Sequence, residues 1–236
     1  MRIFVDGLEA AKEIERDLFE MGIENHPQTM QDKEVKDDDD FHTKELVGYS
    51  YCITNPRRVH EIIEFYPDFN RKYMLMEITD RLDSKSHPLN PGNSHSERPD
   101  TWNEFLHDGK FSYTYNERYW EDDQLGKVIH ELVQRPESRQ TLLTMYDMHH
   151  DQKNWGGGGR VPCSVYYQFI LRDGKLDVIY NMRSCDFYEH FPYDVLLTHL
   201  LQGYVAGEVG VPSGKLIHFM GSLHAYKKDW GKRQIF

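Results

Sequence analysis

Residues 161–186 read VPCSVYYQFILRDGKLDVIYNMRSCD, and this stretch decides the fold of the chain. It contains two runs rich in β-branched and aromatic side chains, which are typical of strands. An Arg-Asp-Gly sequence at 172–174 separates the runs and suits the short turn that joins antiparallel strands. The stretch therefore predicts a β-hairpin that has Cys163 at its start.

The segments on both sides of the hairpin mix helices and strands. The further predicted elements are an amphipathic helix over 6–22, a strand over 44–54, a mainly helical region over 57–83, a loop over 84–100, a helix over 124–134, a strand over 141–148, a mobile connection over the glycines 156–159, a helix from 192 to about 209 and a strand over 215–220. Neither an internal repeat nor a linker divides the chain. The elements predict an α+β fold with a mixed or mostly antiparallel sheet. We expect a single domain over 1–236, in which 1–43 form a variable N-terminal helix and acidic loop.

The composition argues against several classes of protein. Lys and Arg total 28 against 39 Asp and Glu, a formal net charge of −11, whereas a general nucleic-acid binder needs a basic face. No apolar run approaches the length of a membrane span, and the acidic start of the chain is unlike a signal peptide. The three cysteines, at 52, 163 and 185, offer no disulfide framework. We expect a cytoplasmic protein with no direct nucleic-acid or membrane partner.

Two groups of residues are candidates for a metal site, and neither is convincing. The acidic run 37–40 is more typical of a solvated loop than of a cation site. Adjacent histidines on a strand point to opposite sides, so His149 and His150 would rarely reach one ion together with Asp151. No metal is predicted.

Three further signals could carry chemistry, and each also has a purely structural interpretation. Cys163 is either a small buried apolar residue or a nucleophile activated by a nearby cation such as Arg183. Arg183 and Ser184 either form surface contacts or hold a phosphomonoester, because a guanidinium fork and a hydroxyl both donate to phosphate oxygens. His224 and Tyr226 are either core residues or ligands of a ribose hydroxyl. None of these signals is specific alone.

The order of the motifs is more informative than any one of them. A Pro-Cys before a strand, then QF, RSCD, PYDV and GSLHAY, all within 161–226, resembles the thymidylate synthase family. The resemblance continues more weakly upstream through PESRQ (136–140), YTYNERYW (113–120), DTWNEF (100–105) and Glu77. It implies a twisted mixed sheet backed by helices, and a homodimer whose subunits pack sheet to sheet.

Two departures from the family pattern indicate a branch within it. Asp194 occupies the place of the uracil-reading Asn, and Ser222 replaces the Asp of the family's Gly-Asp-x-His motif. With the NMRS sequence at 181–184, both resemble the phage deoxycytidylate (dCMP) hydroxymethylases. The resemblance implies that the enzyme makes 5-hydroxymethyl-dCMP from dCMP, 5,10-methylenetetrahydrofolate and water, in the host cytoplasm if a phage encodes it. The alternatives are a dCMP methylase, a dUMP hydroxymethylase or thymidylate synthase, and an inactive nucleotide-binding homologue.

The resemblance also implies roles for individual residues. Cys163 would add to carbon 6 of the pyrimidine, Glu77 would organise the water, and Tyr115 would order the proton network around the sulfur. The residues implied for the nucleotide are Asp194 at the base, where it is also a catalytic group, Arg183 and Ser184 at the phosphate, Arg139 donated by the partner subunit, Asn181 in the place of a family aromatic, and His224 and Tyr226 at the 3′-hydroxyl. Those implied for the folate are Trp102, Phe105, Asp186 and Tyr193.

Overall fold

The computed structural model describes residues 1–30, 33–85, 91–155 and 159–234. The predicted mobile connection over 156–159 lies mostly outside the described residues. Residues 86–90 of the predicted loop over 84–100 also lie outside them. In the described part of the chain, no helix is both long and apolar enough to cross a membrane.

Seven strands form one mixed sheet, and two short strands pair separately. The strands are β1 (Arg2–Phe4), β2 (Ile23–Asn25), β3 (Thr29–Met30), β4 (Lys33–Glu34), β5 (Thr43–Ile53), β6 (Leu142–Thr144), β7 (Ser164–Arg172), β8 (Lys175–Asp186) and β9 (Ser213–Tyr226). The order across the large sheet is β1, β5, β9, β8, β7, β6, and β2 pairs with β5. Strand β8 runs parallel to β9 and antiparallel to β7, and β5 runs antiparallel to β9. This mixed sheet with its helices confirms the predicted α+β class.

The helices begin and end at residues that suit those positions. The α-helices of the described part are α1 (Gly7–Met21), α2 (Arg71–Leu82), α3 (Pro99–Trp102), α4 (Tyr115–Trp120), α5 (Gln124–Gln134), α6 (Met148–Asp151) and α7 (Phe191–Val209), and a 3-10 helix (Pro56–Phe65) precedes α2. The Asp6 side chain caps α1 by accepting a hydrogen bond of 2.8 Å from the Glu9 backbone N–H. Helix α7 carries a proline in its first turn and ends at Gly210, whose φ of 79° is left-handed.

The predicted hairpin is formed by β7 and β8. Asp173 and Gly174 connect the two strands with φ angles of 50° and 68°, the left-handed pair that a two-residue hairpin turn favours. Helix α7 packs against β8. Its first turn therefore lies at the end of the hairpin, where the Cys185 Sγ is 3.7 Å from Asp194 Oδ2.

The two faces of the sheet differ in burial. The fully buried face of β8 carries Leu176, Val178, Tyr180 and Met182. The alternate residues of β7, β8 and β9 are only half-buried or exposed, although several are apolar. We call the surface that these residues form the outer face. It carries Tyr166, Gln168, Ile170, Ile179, Asn181, Ile217 and Phe219.

The strand predicted over 141–148 is wrong in its second half, because β6 ends at Thr144. Asp147 accepts hydrogen bonds of 2.7 and 3.3 Å from the backbone N–H groups of His149 and His150 and thereby starts α6. His149 and His150 therefore lie on a helix, and the prediction that they alternate on a strand is wrong as well. Asp151 was the third candidate ligand of this group. Its Oδ1 accepts a hydrogen bond of 2.9 Å from buried Arg118, so this oxygen already has a partner.

The strand predicted over 215–220 is longer than expected and runs from Ser213 to Tyr226. Gly221 does not end it. A Cβ at this position would lie 2.8 Å from the carbonyl oxygen of Arg183, so glycine allows β9 to lie close to β8. The longer strand brings His224 to a position beside the end of β8.

Candidate functional site

Cys163 precedes β7, and Arg183 of β8 holds the segment that contains it. The Arg183 guanidinium donates from Nε to the Pro162 carbonyl (2.9 Å) and from Nη2 to the Val161 carbonyl (2.8 Å), and Nη2 also lies 3.7 Å from the Cys163 sulfur. Burial raises the pKa of the Cys163 thiol, and the charge of Arg183 opposes part of that rise. The arrangement places a fixed cation beside a thiol.

Cys163 lines a cavity of about 970 Å³ at one end of the sheet. Most of the predicted site residues line the same cavity. These are Trp102, Phe105, Tyr115, Arg183, Ser184, Asp186, Tyr193, Asp194, His224 and Tyr226. Tyr115 lies beside Cys163, since its hydroxyl accepts a hydrogen bond of 3.4 Å from the Ser164 backbone N–H. The fold thus brings together residues that are far apart in the sequence.

Glu77 lines an adjoining cavity of about 370 Å³. Its carboxylate accepts hydrogen bonds of 2.7 Å from Arg81 Nε and 2.8 Å from Ser94 Oγ. Arg81 is buried, so Glu77 has a cationic partner inside the protein. The two cavities share Tyr73, Arg81, Trp102, Tyr113, Tyr115 and Arg160.

Arg139 and Asn181 do not line the described part of either cavity. Asn181 pairs with Tyr166 of β7 and Phe219 of β9, so its side chain belongs to the outer face. Arg139 is exposed, and its carbonyl oxygen accepts a hydrogen bond of 2.9 Å from Gln168 of the same face. Both residues therefore border the outer face of the sheet.

Asp194 lies in the first turn of α7 and in the wall of the larger cavity. Burial raises its pKa to about 7, although the charge of Arg81 opposes the rise. Both protonation states are therefore populated near neutral pH. The protonated carboxyl group can donate one hydrogen bond and accept another, whereas the ionised group only accepts.

Asp186 ends β8 at the other side of the larger cavity. Burial, followed by the negative charge of Asp229, raises its pKa to about 7. Its carboxylate also accepts hydrogen bonds from the backbone N–H groups of Tyr188 (3.1 Å) and Glu189 (3.4 Å). These bonds fix the carboxyl group in the wall of the cavity.

Two of the aromatic residues predicted for the folate, Trp102 and Phe105, lie around a cation together with two further aromatic rings. The Arg160 guanidinium lies 4.8 Å from the ring centre of Trp102, 4.9 Å from Phe105, 5.7 Å from Phe111 and 5.0 Å from Tyr113. Its Nη2 also donates to the Tyr113 hydroxyl at 3.3 Å. A planar ligand that stacked on Trp102 would therefore meet this guanidinium.

His224 and Tyr226 lie at the end of β9, where the His224 ring packs edge-on against Tyr226 with 5.0 Å between centres. Burial lowers the pKa of His224 to about 4, and the charge of Arg183 adds to that effect. The imidazole is therefore neutral near pH 7. Ser222 contacts His224 and also donates a hydrogen bond to Glu45 of β5.

Three charged residues of this region were not predicted from the sequence: Arg81, Arg160 and Glu45. Arg81 had a readable signal, because it follows Glu77 by four residues on a helix. Arg160 is close to Cys163 in sequence, but its aromatic partners are distant. Glu45 had no local signal, since it is 177 residues from Ser222.

Comparisons with known proteins point to one family. The family model described as thymidylate synthase matches residues 83–234. A putative thymidylate synthase of Methanosarcina acetivorans is 35% identical over 124 residues, which are 51% of this chain and 55% of that protein. The putative thymidylate synthase of Methanosarcina barkeri is 34% identical over the same shares. The thymidylate synthase of Oenococcus oeni is 30% identical over 127 residues, 50% of this chain and 39% of that protein. This chain thus spans about half the length, or less, of these curated relatives.

Proposed function

The chain belongs to the thymidylate synthase family, and from this premise we propose that it transfers a one-carbon unit to carbon 5 of a pyrimidine nucleotide. The specific proposal is that dCMP, methylenetetrahydrofolate and water give 5-hydroxymethyl-dCMP and tetrahydrofolate. The observation that carries the choice of cytosine is Asp194, whose carboxyl group lines the same cavity as Cys163 with a pKa near 7.

The choice of base follows from hydrogen-bond polarity. Uracil offers a carbonyl acceptor at position 4 and an N–H donor at position 3. Cytosine reverses this pattern, with an amino donor and a ring-nitrogen acceptor. Protonated Asp194 accepts from the amino group and donates to the ring nitrogen. Ionised Asp194 can only accept, so with uracil it would pair with the N–H at position 3 and leave the carbonyl at position 4 unpaired, at a cost of about 1–3 kcal/mol.

The chemistry at the base depends on the Cys163 sulfur. Its thiolate forms a bond to carbon 6, and the electron pair of the 5,6 double bond moves to carbon 5, which becomes a nucleophile. Arg183 supplies positive charge at the sulfur, and Tyr115 lies within reach of the same segment. After carbon 5 has taken the one-carbon unit and lost its proton, the bond to sulfur breaks in the last step. The sulfur leaves as a thiolate with the electron pair of that bond, and the 5,6 double bond of the ring is restored.

The larger cavity has residues that suit a folate. Trp102, Phe105 and Tyr193 offer aromatic surfaces for a planar heterocycle, and the Asp186 carboxyl can accept from its amino group. When bound, the folate supplies the one-carbon unit. Arg160 would have to leave the aromatic rings or pack against the ligand.

Water is the proposed final reactant. Glu77 is held by Arg81 and Ser94 at the boundary of the smaller cavity, whose lining includes many polar side chains. A carboxylate fixed in this way can accept a proton from a water molecule and orient its lone pair. Hydride transfer in place of water would give the methylase, which is an outcome of the test below.

We further propose a single domain over 1–236 and a homodimer that packs outer face against outer face. Ile179, Ile217 and Phe219 form a partly exposed apolar surface, which favours burial against a second copy. Arg139 lies at the border of that surface. From there it could reach the phosphate site of the partner.

The test is release of tritium from carbon-5-labelled dCMP and dUMP, with and without methylenetetrahydrofolate, and identification of the products by mass. We expect release from dCMP and the gain of one hydroxymethyl group. Cys163→Ala should abolish release, whereas the control Cys52→Ala, which changes a buried cysteine outside both cavities, should retain it. A methyl product would indicate the methylase, and release from dUMP alone would contradict the role of Asp194. No release from either nucleotide would favour an inactive nucleotide-binding homologue.

A further inference from the structure

Glu45, Ser222 and His224 form a polar cluster across β5 and β9. Glu45 lies directly opposite His224 in the antiparallel register, and Ser222 precedes His224 by two residues. Directly paired residues, and residues two apart on a strand, point to the same face of a sheet. All three side chains line the larger cavity.

The contacts in this cluster favour one assignment of donors and acceptors. The Ser222 hydroxyl donates to Glu45 Oε1, because a carboxylate has no proton to give. Ser222 has no second proton, so its contact of 3.4 Å with His224 Nδ1 requires the imidazole to be the donor. A neutral imidazole carries one N–H group, and burial keeps His224 neutral by lowering its pKa to about 4. This assignment puts the proton on Nδ1 and leaves a lone pair on Nε2.

We propose that Glu45, acting through Ser222, is a positioning residue that holds His224 as the Nδ1–H tautomer, so that Nε2 accepts a hydrogen bond from the sugar hydroxyl of the nucleotide. The identity of this ligand rests on the proposed function. The Ser at position 222, where the family pattern has Asp, takes its carboxylate partner from the neighbouring strand. Tyr226, next to the His224 ring, can then donate to the oxygen of the same hydroxyl.

The first test is nuclear magnetic resonance of the ligand-free full chain, in which the ¹⁵N shifts of His224 report the tautomer. We expect the Nδ1–H pattern in the wild-type protein. In Glu45→Gln the amide can donate to Ser222, which frees the serine proton for Nδ1 and shifts the ring toward Nε2–H. Glu45→Asp, which keeps a carboxylate, should retain more of the wild-type pattern than Glu45→Gln does. Glu24→Gln is the matched control, because this substitution removes the same charge as Glu45→Gln. Glu24 is a largely exposed carboxylate on β2 that pairs with Lys44.

The second test compares the binding of dCMP with that of its 3′-deoxy-3′-fluoro analogue, which can accept but cannot donate. We expect the wild-type protein to bind the analogue about fivefold more weakly, as the loss of one hydrogen bond implies. In Glu45→Gln this ratio should fall toward one, and in Glu24→Gln it should stay unchanged.

Two outcomes would overturn the positioning role of Glu45. One is a His224 tautomer that is the same in wild-type protein and Glu45→Gln. The other is a binding ratio that does not respond to Glu45→Gln. A wild-type protein that binds neither nucleotide would refute the proposed function and the sugar contact, and the ligand-free spectra would still decide the effect of Glu45 on the tautomer.

Discussion

We expect the binding of dCMP to weaken as the pH rises through 7, with Asp194 as the responsible group. Its pKa is about 7 in the free protein, and the proposed cytosine contact needs one proton between the carboxyl group and the ring nitrogen. Below pH 7 this proton is already on Asp194, so binding is independent of pH there. Above pH 7 the proton must come from the solvent. Each further pH unit therefore weakens binding about tenfold, or about 1.4 kcal/mol.

The measurement is calorimetric titration with dCMP and with dUMP between pH 6 and about pH 8. Both nucleotides carry the same phosphate, so protonation of the phosphate cancels in the ratio of their dissociation constants. That ratio should change about fivefold between pH 7 and pH 8, because half of Asp194 is already ionised at pH 7. Titration in two buffers of different ionisation enthalpy should also detect about one proton taken up per dCMP at pH 8, and little uptake at pH 6.

The control is Asp194→Asn, which keeps the shape of the side chain and removes its titration. We expect the dCMP to dUMP ratio of this variant to be flat over the same pH range. A flat ratio in the wild-type protein would refute the shared proton. A slope that persists in Asp194→Asn would assign it to another group.

The same Asp194→Asn change should raise the melting temperature at pH 8 and leave it nearly unchanged at pH 4. The pKa of Asp194 is about 7 in the folded protein and about 3.9 in the unfolded chain. The carboxyl group therefore favours folding below pH 4, and up to about 4 kcal/mol of that contribution is lost as the pH rises through 7. Equal gains in melting temperature at both pH values would contradict the raised pKa. Arg81→Met should lower the free energy of unfolding in urea by about 3–5 kcal/mol, because it leaves the Glu77 carboxylate without its buried partner. Addition of Glu77→Gln should recover part of this loss, and no recovery would mean that the pair is not coupled. If Arg139 serves the partner's site in a twofold dimer, mixing the inactive variant Cys163→Ala with the variant Arg139→Ala should restore about a quarter of the wild-type activity. Half of the dimers are then mixed, and one site in each mixed dimer has both residues. No restoration would place Arg139 outside the partner's site.

The central elements were predictable because their signals are local. The hairpin over 161–186 has strands of clear composition and a two-residue turn with left-handed angles at Asp173 and Gly174. Helix α7 has a proline at its start and a glycine at its end. Each of these features acts within a few residues, so the sequence alone indicates them.

Two errors have physical causes that the sequence contains in ambiguous form. Gly221 looks like the end of a strand, but it serves the close approach of β9 to the Arg183 carbonyl. Asp147 looks like part of a strand, but its side chain caps α6 and turns His149 and His150 into helical residues. A glycine or an aspartate permits both interpretations until the neighbouring element is known.

The residues of the site also differ in whether a local sequence signal indicates them. Cys163, Arg183 and Asp194 could be named from ordered motifs, and the fold places them in one cavity. Two charged residues of the same cavity could not be named. The pairing of β5 with β9 brings Glu45 to Ser222, and Arg160 lies among rings from the segment 102–113.

The buried state of the Cys163 thiol also bears on how long the protein survives in an oxidising environment. Peroxides and alkylating agents react with thiolates far faster than with thiols. Because burial raises the pKa of Cys163, the sulfur is mostly protonated at neutral pH while the cavity is empty. We therefore expect peroxides and alkylating agents to modify Cys163 slowly while its sulfur is protonated, and faster in any state in which it forms a thiolate.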